Sequence, residues 1–134
     1  KNGVRYYDDS IATTPGSVIA ALRAFEAPKV LIVGGYDKGA NYDEMATEIA
    51  KQTVRAVIII GANAAKIEQS LRQASVTATI VVLGQTTMVD VVAQASQLSR
   101  PGDVVILSPA AASFDMFKSY NDRGEQFVAA VENL

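Results

Sequence analysis

Ala56-Val57-Ile58-Ile59-Ile60, closed by Gly61-Ala62-Asn63, is the stretch on which the fold turns. Five consecutive apolar residues, mostly β-branched and ended by glycine, read as a strand covered on both faces. A half-solvated strand would alternate. The run is far short of the roughly 20 residues that a membrane span requires. Working outward, Val30–Val33, Thr79–Leu83 and Val104–Leu107 repeat the same continuous pattern, and Val4–Tyr7 gives a shorter, mixed version. The five strand starts fall about 25 residues apart, roughly the length of one strand–helix unit.

Helical periodicity fills the gaps. Val18, Ala21, Leu22 and Phe25 share one face, as do Tyr42, Met45, Ala46 and Ile49. Ile67, Leu71 and Ala74 form a shorter stripe, and Met88, Val91, Val92, Ala95 and Leu98 a longer one. A last helix carries Phe117, Tyr120, Phe127, Val128 and Val131, with Ser113 expected as its cap. Thr14 before Pro15 is a helix start, Asn41 with Glu44 suggests a capping box, and Arg100-Pro101-Gly102-Asp103 stops the fourth helix. Alternating strands and helices predict an α/β, Rossmann-like, doubly wound fold, mostly parallel with helices on both faces, in one domain spanning residues 1–134.

Among 134 residues there is no histidine and no cysteine. That excludes Ser-His-Asp chemistry, imidazole acid–base work, thiol nucleophiles, disulfides and His- or Cys-ligated metals. A net charge of -2 argues against an electrostatic nucleic-acid binder. Carboxylates, lysines, hydroxyls and backbone dipoles remain. The start, Lys1-Asn2-Gly3-Val4-Arg5, has no signal-peptide core and no initiating Met, so either a longer parent or a processed or tagged terminus is expected.

Ligands of open α/β sheets bind beyond the carboxyl ends of the strands. Of the five loops there, Gly61-Ala62-Asn63 and Gly84-Gln85-Thr86-Thr87 look structural. Three carry chemistry. Asp8-Asp9-Ser10-Ile11-Ala12-Thr13-Thr14 offers carboxylates for sugar hydroxyls or a metal, hydroxyls for an anion, or simply a turn and a cap. Gly34-Gly35-Tyr36-Asp37-Lys38-Gly39 places a cation in a sharp glycine turn, although neither a Walker A loop nor G-x-G-x-x-G occurs. Lys38 there is an anion ligand or a solvated side chain. Ser108-Pro109-Ala110-Ala111-Ala112-Ser113 is unusually small for a surface loop and suggests close backbone approach. Gly124 lies mid-helix, where packing is its expected reason. The aromatics Tyr6, Tyr7, Phe114, Phe117, Tyr120 and Phe127 are expected in the core, and Asp43-Glu44 at a helix start as dipole compensation.

Taken in order, Asp8-Asp9-Ser10-x-Ala12-Thr13-x-Pro15-x-Ser17, Gly34-Gly35-x-Asp37-Lys38-Gly39 and Ser108-Pro109-Ala110-x-Ala112-Ser113-Phe114-Asp115-x-Phe117, then Arg123-Gly124, resemble the carboxyl-terminal domain of the Mur ligases. The likeness is greatest to the branch using D-glutamate, and the Asp-Asn-Pro-Arg motif of the diamino-acid branch is absent. The resemblance implies a Rossmann-like fold and a part in a cytoplasmic, ATP-dependent ligase of peptidoglycan synthesis. Its substrates would be D-glutamate and UDP-N-acetylmuramoyl-L-alanine. The amino-terminal and central ATPase domains lie outside this chain, and ATP and Mg belong to the parent. The domain alone is expected to be inactive and to bind no cofactor, nucleic acid or membrane.

The resemblance also implies roles for individual residues. Thr13 and Lys38 would hold one carboxylate of D-glutamate; Ser113, the backbone of Phe114 and Tyr120 would receive the other; Asp9 would reach the ATP ribose. Some relatives have a lysine where this chain has Ile11, so this loop carries one positive charge fewer. A stand-alone Rossmann-like binding or regulatory module explains the same strands and loops. A phosphorylated receiver does not, because Gly61 stands where its aspartate would be.

Overall fold

A computed structural model describes all 134 residues. The elements alternate strictly: β1 (Arg5–Asp8), α1 (Pro15–Arg23), β2 (Lys29–Val33), α2 (Asp43–Lys51), β3 (Val54–Ile60), α3 (Ala64–Gln73), β4 (Thr79–Gly84), α4 (Met88–Leu98), β5 (Val104–Leu107) and α5 (Tyr120–Glu132). One parallel sheet runs in the order β1-β5-β2-β3-β4. The expected class and architecture hold.

Why the central strands do not alternate is visible in the two cores. Leu31, Val33, Val57, Ile59 and Ile106 pack with α1, α2 and α3 on one face. Their sequence neighbours Val30, Ile32, Ile58, Ile60, Val105 and Leu107 pack with α4 and α5 on the other. Each strand still has a period of two, but both sides are apolar because both are covered. From β2 to β4 the chain steps outward over one face. It then returns to β5 over the other, which leaves β5 wedged between β1 and β2. The reversal beside β5 is where ligands of such sheets bind, and the loops after β1, β2 and β5 meet there.

Helix starts hold unevenly. Thr14 caps α1 by accepting the Ser17 amide at 3.3 Å, with Pro15 at the first position. Asn41 accepts the Asp43 amide at 2.8 Å, but Tyr42 occupies the cap position of α2, no side chain caps it, and the reciprocal bond from Glu44 is missing. Ser113 does not cap the last helix. A single turn follows it, with the Met116 and Phe117 amides on the Ser113 carbonyl at 3.1 and 2.8 Å, and α5 begins only at Tyr120. Its cap is Ser119, which accepts the Asp122 amide at 3.0 Å, while the Asp122 carboxylate accepts the Lys118 amide at 3.1 Å. Phe117 therefore precedes α5. Removing the hydroxyl in Ser119→Ala should lower stability by about 1 kcal/mol, measured by urea unfolding at neutral pH.

The aromatic residues divide. Tyr6 packs on Phe127 at 6.4 Å between ring centres and Tyr7 on Phe25 at 4.5 Å, on opposite sides of β1. Phe114 and Tyr120 correct the core expectation, being 70% and 43% exposed. Both stand at the carboxyl edge of the sheet, Phe114 before α5 and Tyr120 at its first residue. Gly124 has the packing reason expected of it: a Cβ there would lie 2.6 Å from an Asp8 carboxylate oxygen. No helix is long and apolar enough to cross a membrane.

Candidate functional site at the carboxyl edge

Three loops are laced together above β1, β5 and β2. The Ala110 amide donates to the Ala12 carbonyl at 2.9 Å, joining the loop after β5 to the loop after β1. The Ser108 hydroxyl donates to Asp9 Oδ2 at 2.9 Å across the same pair. Tyr36 bridges antiparallel to Ala112, its amide 2.9 Å from the Ala112 carbonyl, and joins the loop after β2 to the loop after β5. These contacts need small residues. A Cβ on Gly35 would sit 2.5 Å from the Ala112 carbonyl oxygen and 3.2 Å from the Ala111 methyl. The alanine run thus marks close backbone approach, and Ala110 itself has a left-handed φ of 59°.

The short loop after β3 is structural, but it does more than turn the chain. Asn63, which is 2% exposed, accepts the Gly35 amide at 2.8 Å and donates to the Tyr42 hydroxyl at 2.8 Å. Burial raises the Tyr42 pKa, so the phenol stays protonated at neutral pH. Asp115 Oδ2 accepts the Ala62 amide at 2.9 Å and ties the β5 loop to the same place. Asp115 falls within the loop motif that resembles the family, but its role and that of Asn63 do not show in the sequence, because each acts on a backbone amide remote in the chain.

Among the residues assigned from the resemblance, Lys38 is exposed in the loop after β2. Its neighbour Asp37 pairs instead with Lys66, at 3.5 Å, and accepts the Gly39 amide at 2.8 Å. That amide, with Lys66, holds the Asp37 carboxyl below its usual range. Lys38 is left without a carboxylate partner in the chain and can meet an external anion. Thr13 is half-buried beside Ala12, the anchored residue of its loop. Ser113 is 2% exposed and directly follows the Tyr36–Ala112 bridge. Phe114 meets Tyr36 edge-on at 6.1 Å.

Lys38, Thr13, Ser113 and Phe114 therefore lie on loops that the structure joins, although they do not close round one cavity. Tyr120 lines a groove of about 620 Å³ with Asp8, Ser10, Ile11 and residues of α5. Asp9 lines another depression with Ile11, Ala12 and Ser17. Neither groove includes Lys38 or Ser113. Ile11, at the position where some relatives carry lysine, is 68% exposed.

Arg123 stands in the sequence only as part of the Arg123-Gly124 pair. This side chain, only 1% exposed, lies under the site and donates to Ser10 and Ala111. A cation beside a mid-helix glycine was the available signal.

Comparison with known proteins agrees with the loop pattern. The family model described as "Mur ligase, glutamate ligase domain" matches residues 1–111. A protein of Pseudomonas fluorescens named UDP-N-acetylmuramoylalanine–D-glutamate ligase is 45% identical over 137 residues, covering 99% of this chain and 29% of the relative. Proteins of the same name from Acinetobacter baylyi and Ruminiclostridium cellulolyticum are 45% and 42% identical, again over 99% of this chain and 30% and 29% of their own lengths. The chain thus spans less than a third of the curated relatives it matches. With the family model covering most of its length and the three loops in order at the sheet's carboxyl edge, the chain belongs to the Mur ligase family, as its carboxyl-terminal, glutamate ligase domain.

Proposed function

We propose that this domain binds D-glutamate for an ATP-dependent ligase that joins it to UDP-N-acetylmuramoyl-L-alanine in peptidoglycan synthesis. The observation that carries this reading is the convergence of three anion-competent loops, with the Lys38 ammonium free of any partner carboxylate. Lys38 and Thr13 take one carboxylate of the amino acid. Ser113, the Phe114 amide and Tyr120 take the other. Two carboxylates recognised by an ammonium, hydroxyls and backbone amides need neither imidazole nor thiol. The D-glutamate in the names of the relatives supports the choice of ligand.

Asp9 fits a ribose hydroxyl because its Oδ2 is engaged by Ser108 and its second oxygen has no hydrogen-bond partner within the chain. ATP and Mg²⁺ are assigned to the central domain of the parent, where phosphoryl transfer to the acceptor carboxylate takes place. The present chain orients the amine that attacks. Because its ligand residues do not close round one cavity, docking against the parent's other domains tightens a binding that the chain already provides, and the reaction occurs in the cytoplasm.

Calorimetric titration tests the reading directly. D-Glutamate should bind the chain more tightly than L-glutamate, and Lys38→Ala should weaken D-glutamate about tenfold or more. The Lys38 variant should keep the wild-type melting temperature, because the side chain is exposed and unpaired. Equal binding of both enantiomers, or no effect of Lys38→Ala, would contradict it.

A further inference from the structure

Arg123 is among the largest fully buried side chains in the molecule, and the proposed binding mechanism does not use it. Its Nε donates to the Ser10 hydroxyl at 2.8 Å, one terminal nitrogen to the Ser10 carbonyl at 2.5 Å and the other to the Ala111 carbonyl at 2.9 Å. The Ser10 hydroxyl in turn donates to the Tyr120 carbonyl at 2.7 Å. One guanidinium thus ties together the loop after β1, the loop after β5 and the first residue of α5.

All its direct acceptors are neutral. Burial lowers the Arg123 pKa to about 10, opposed by the nearby charges of Asp115 and Asp8, so the group stays cationic at neutral pH. A buried cation is a poor source of net stability, since an apolar side chain of similar volume often serves as well. What an apolar side chain lacks is a planar fork that fixes three acceptors from two loops at once.

Every segment it fixes carries an assigned ligand residue. Thr13 lies three residues beyond Ser10, Ser113 two beyond Ala111, and Tyr120 is bonded through Ser10. Gly124 lets the Asp8 carboxylate approach α5 beside this residue.

We infer that Arg123 is a positioning residue for amino-acid binding, setting the distance between the two carboxylate-binding halves of the site. The inference rests on the D-glutamate reading above. It assigns Arg123 to the ligand's geometry rather than to folding alone.

The test compares wild type, Arg123→Lys and Arg123→Met by amide hydrogen exchange and by D-glutamate titration. In both variants the Ala110 amide, which bonds to Ala12 across the loops, should exchange about tenfold faster or more, with the core amides of Leu31 and Ile58 still protected. D-Glutamate affinity should fall about tenfold or more. Arg123→Lys keeps the charge but loses the fork, so it should regain melting temperature without regaining affinity.

A lower melting temperature with unchanged affinity would overturn the inference and leave Arg123 purely structural. If Arg123→Met does not fold, the lysine variant decides. Should the wild type bind no D-glutamate, the amino-acid reading fails. The Ala110 exchange rate then decides the coupling separately: unchanged exchange overturns it, and faster exchange supports it.

Discussion

Gly34→Ala should cost the protein about 4 kcal/mol and open the carboxyl edge of the sheet. Gly34 follows β2 with a φ of 110°, a conformation that L side chains rarely adopt. Its missing Cβ would fall on the Ile60 carbonyl oxygen and only 3.0 Å from the Ile60 carbonyl carbon and amide nitrogen. These are backbone atoms of the neighbouring strand, so no side chain can rotate out of the way. Relief requires β2 and β3 to part at the point where the Lys38 loop begins, with loss of the 2.7 Å bond from the Gly34 amide to the Pro109 carbonyl. Gly16→Ala is the control. Gly16 lies in α1, has nothing within 4 Å of its Cβ position, and should gain up to about 1 kcal/mol. Urea unfolding of the two variants should therefore move in opposite directions. A loss under 1 kcal/mol for Gly34→Ala would contradict the close approach.

Asp103→Ala should cost about 2–3 kcal/mol at neutral pH while leaving ligand affinity unchanged. The Asp103 carboxylate is 2% exposed and receives Arg55 through two nitrogens, at 2.5 and 2.9 Å, as well as the Arg100 amide at 2.9 Å. Arg55 retains some access to water, so its loss of a partner costs less than a fully buried orphan would. The pair joins β3 and β5 at their amino ends, opposite the candidate site. The Arg55 guanidinium, with the Arg100 amide, holds the Asp103 carboxyl below its usual range.

A depressed carboxyl pKa contributes stability that is fully present above the ordinary carboxylate value of about 3.9 and is lost as pH falls through the lower folded value. Wild type should therefore lose stability more steeply than Asp103→Asn on acidification below about pH 4. Parallel acid-unfolding curves would show that the pair carries no such linkage.

Much of the fold is legible in the chain because its strongest signals are local. Four runs of apolar, largely β-branched residues and a mixed fifth lie near the observed strands, and Thr14-Pro15 marks the start of α1 through bonds within one turn. The start of α5 was hidden because Ser113 and Ser119 offer the same local chemistry. What separates them is not visible locally: a single turn follows Ser113, beside the Tyr36–Ala112 bridge, and α5 takes its cap from Ser119. Tyr42 stands at the cap position of α2 in place of Asn41, and its hydroxyl accepts from Asn63, 21 positions away.

In the site, residue types announce anion chemistry and the glycines announce tight turns. The lacing does not show in the sequence. Asn63 reaches Gly35 across 28 positions and Arg123 reaches Ser10 across 113, and no spacing rule marks such pairs.

In the proposed function, the carboxyl edge of this sheet holds D-glutamate between the Lys38 loop and the Ser113 loop. An amide chemical-shift titration of the chain with D-glutamate, up to about 10 mM, reads it residue by residue. Saturable shifts at Thr13, Lys38, Ser113 and Phe114, with weaker ones for L-glutamate, are the expected result. Shifts confined to other surfaces, or no saturable shifts in these loops, would contradict it.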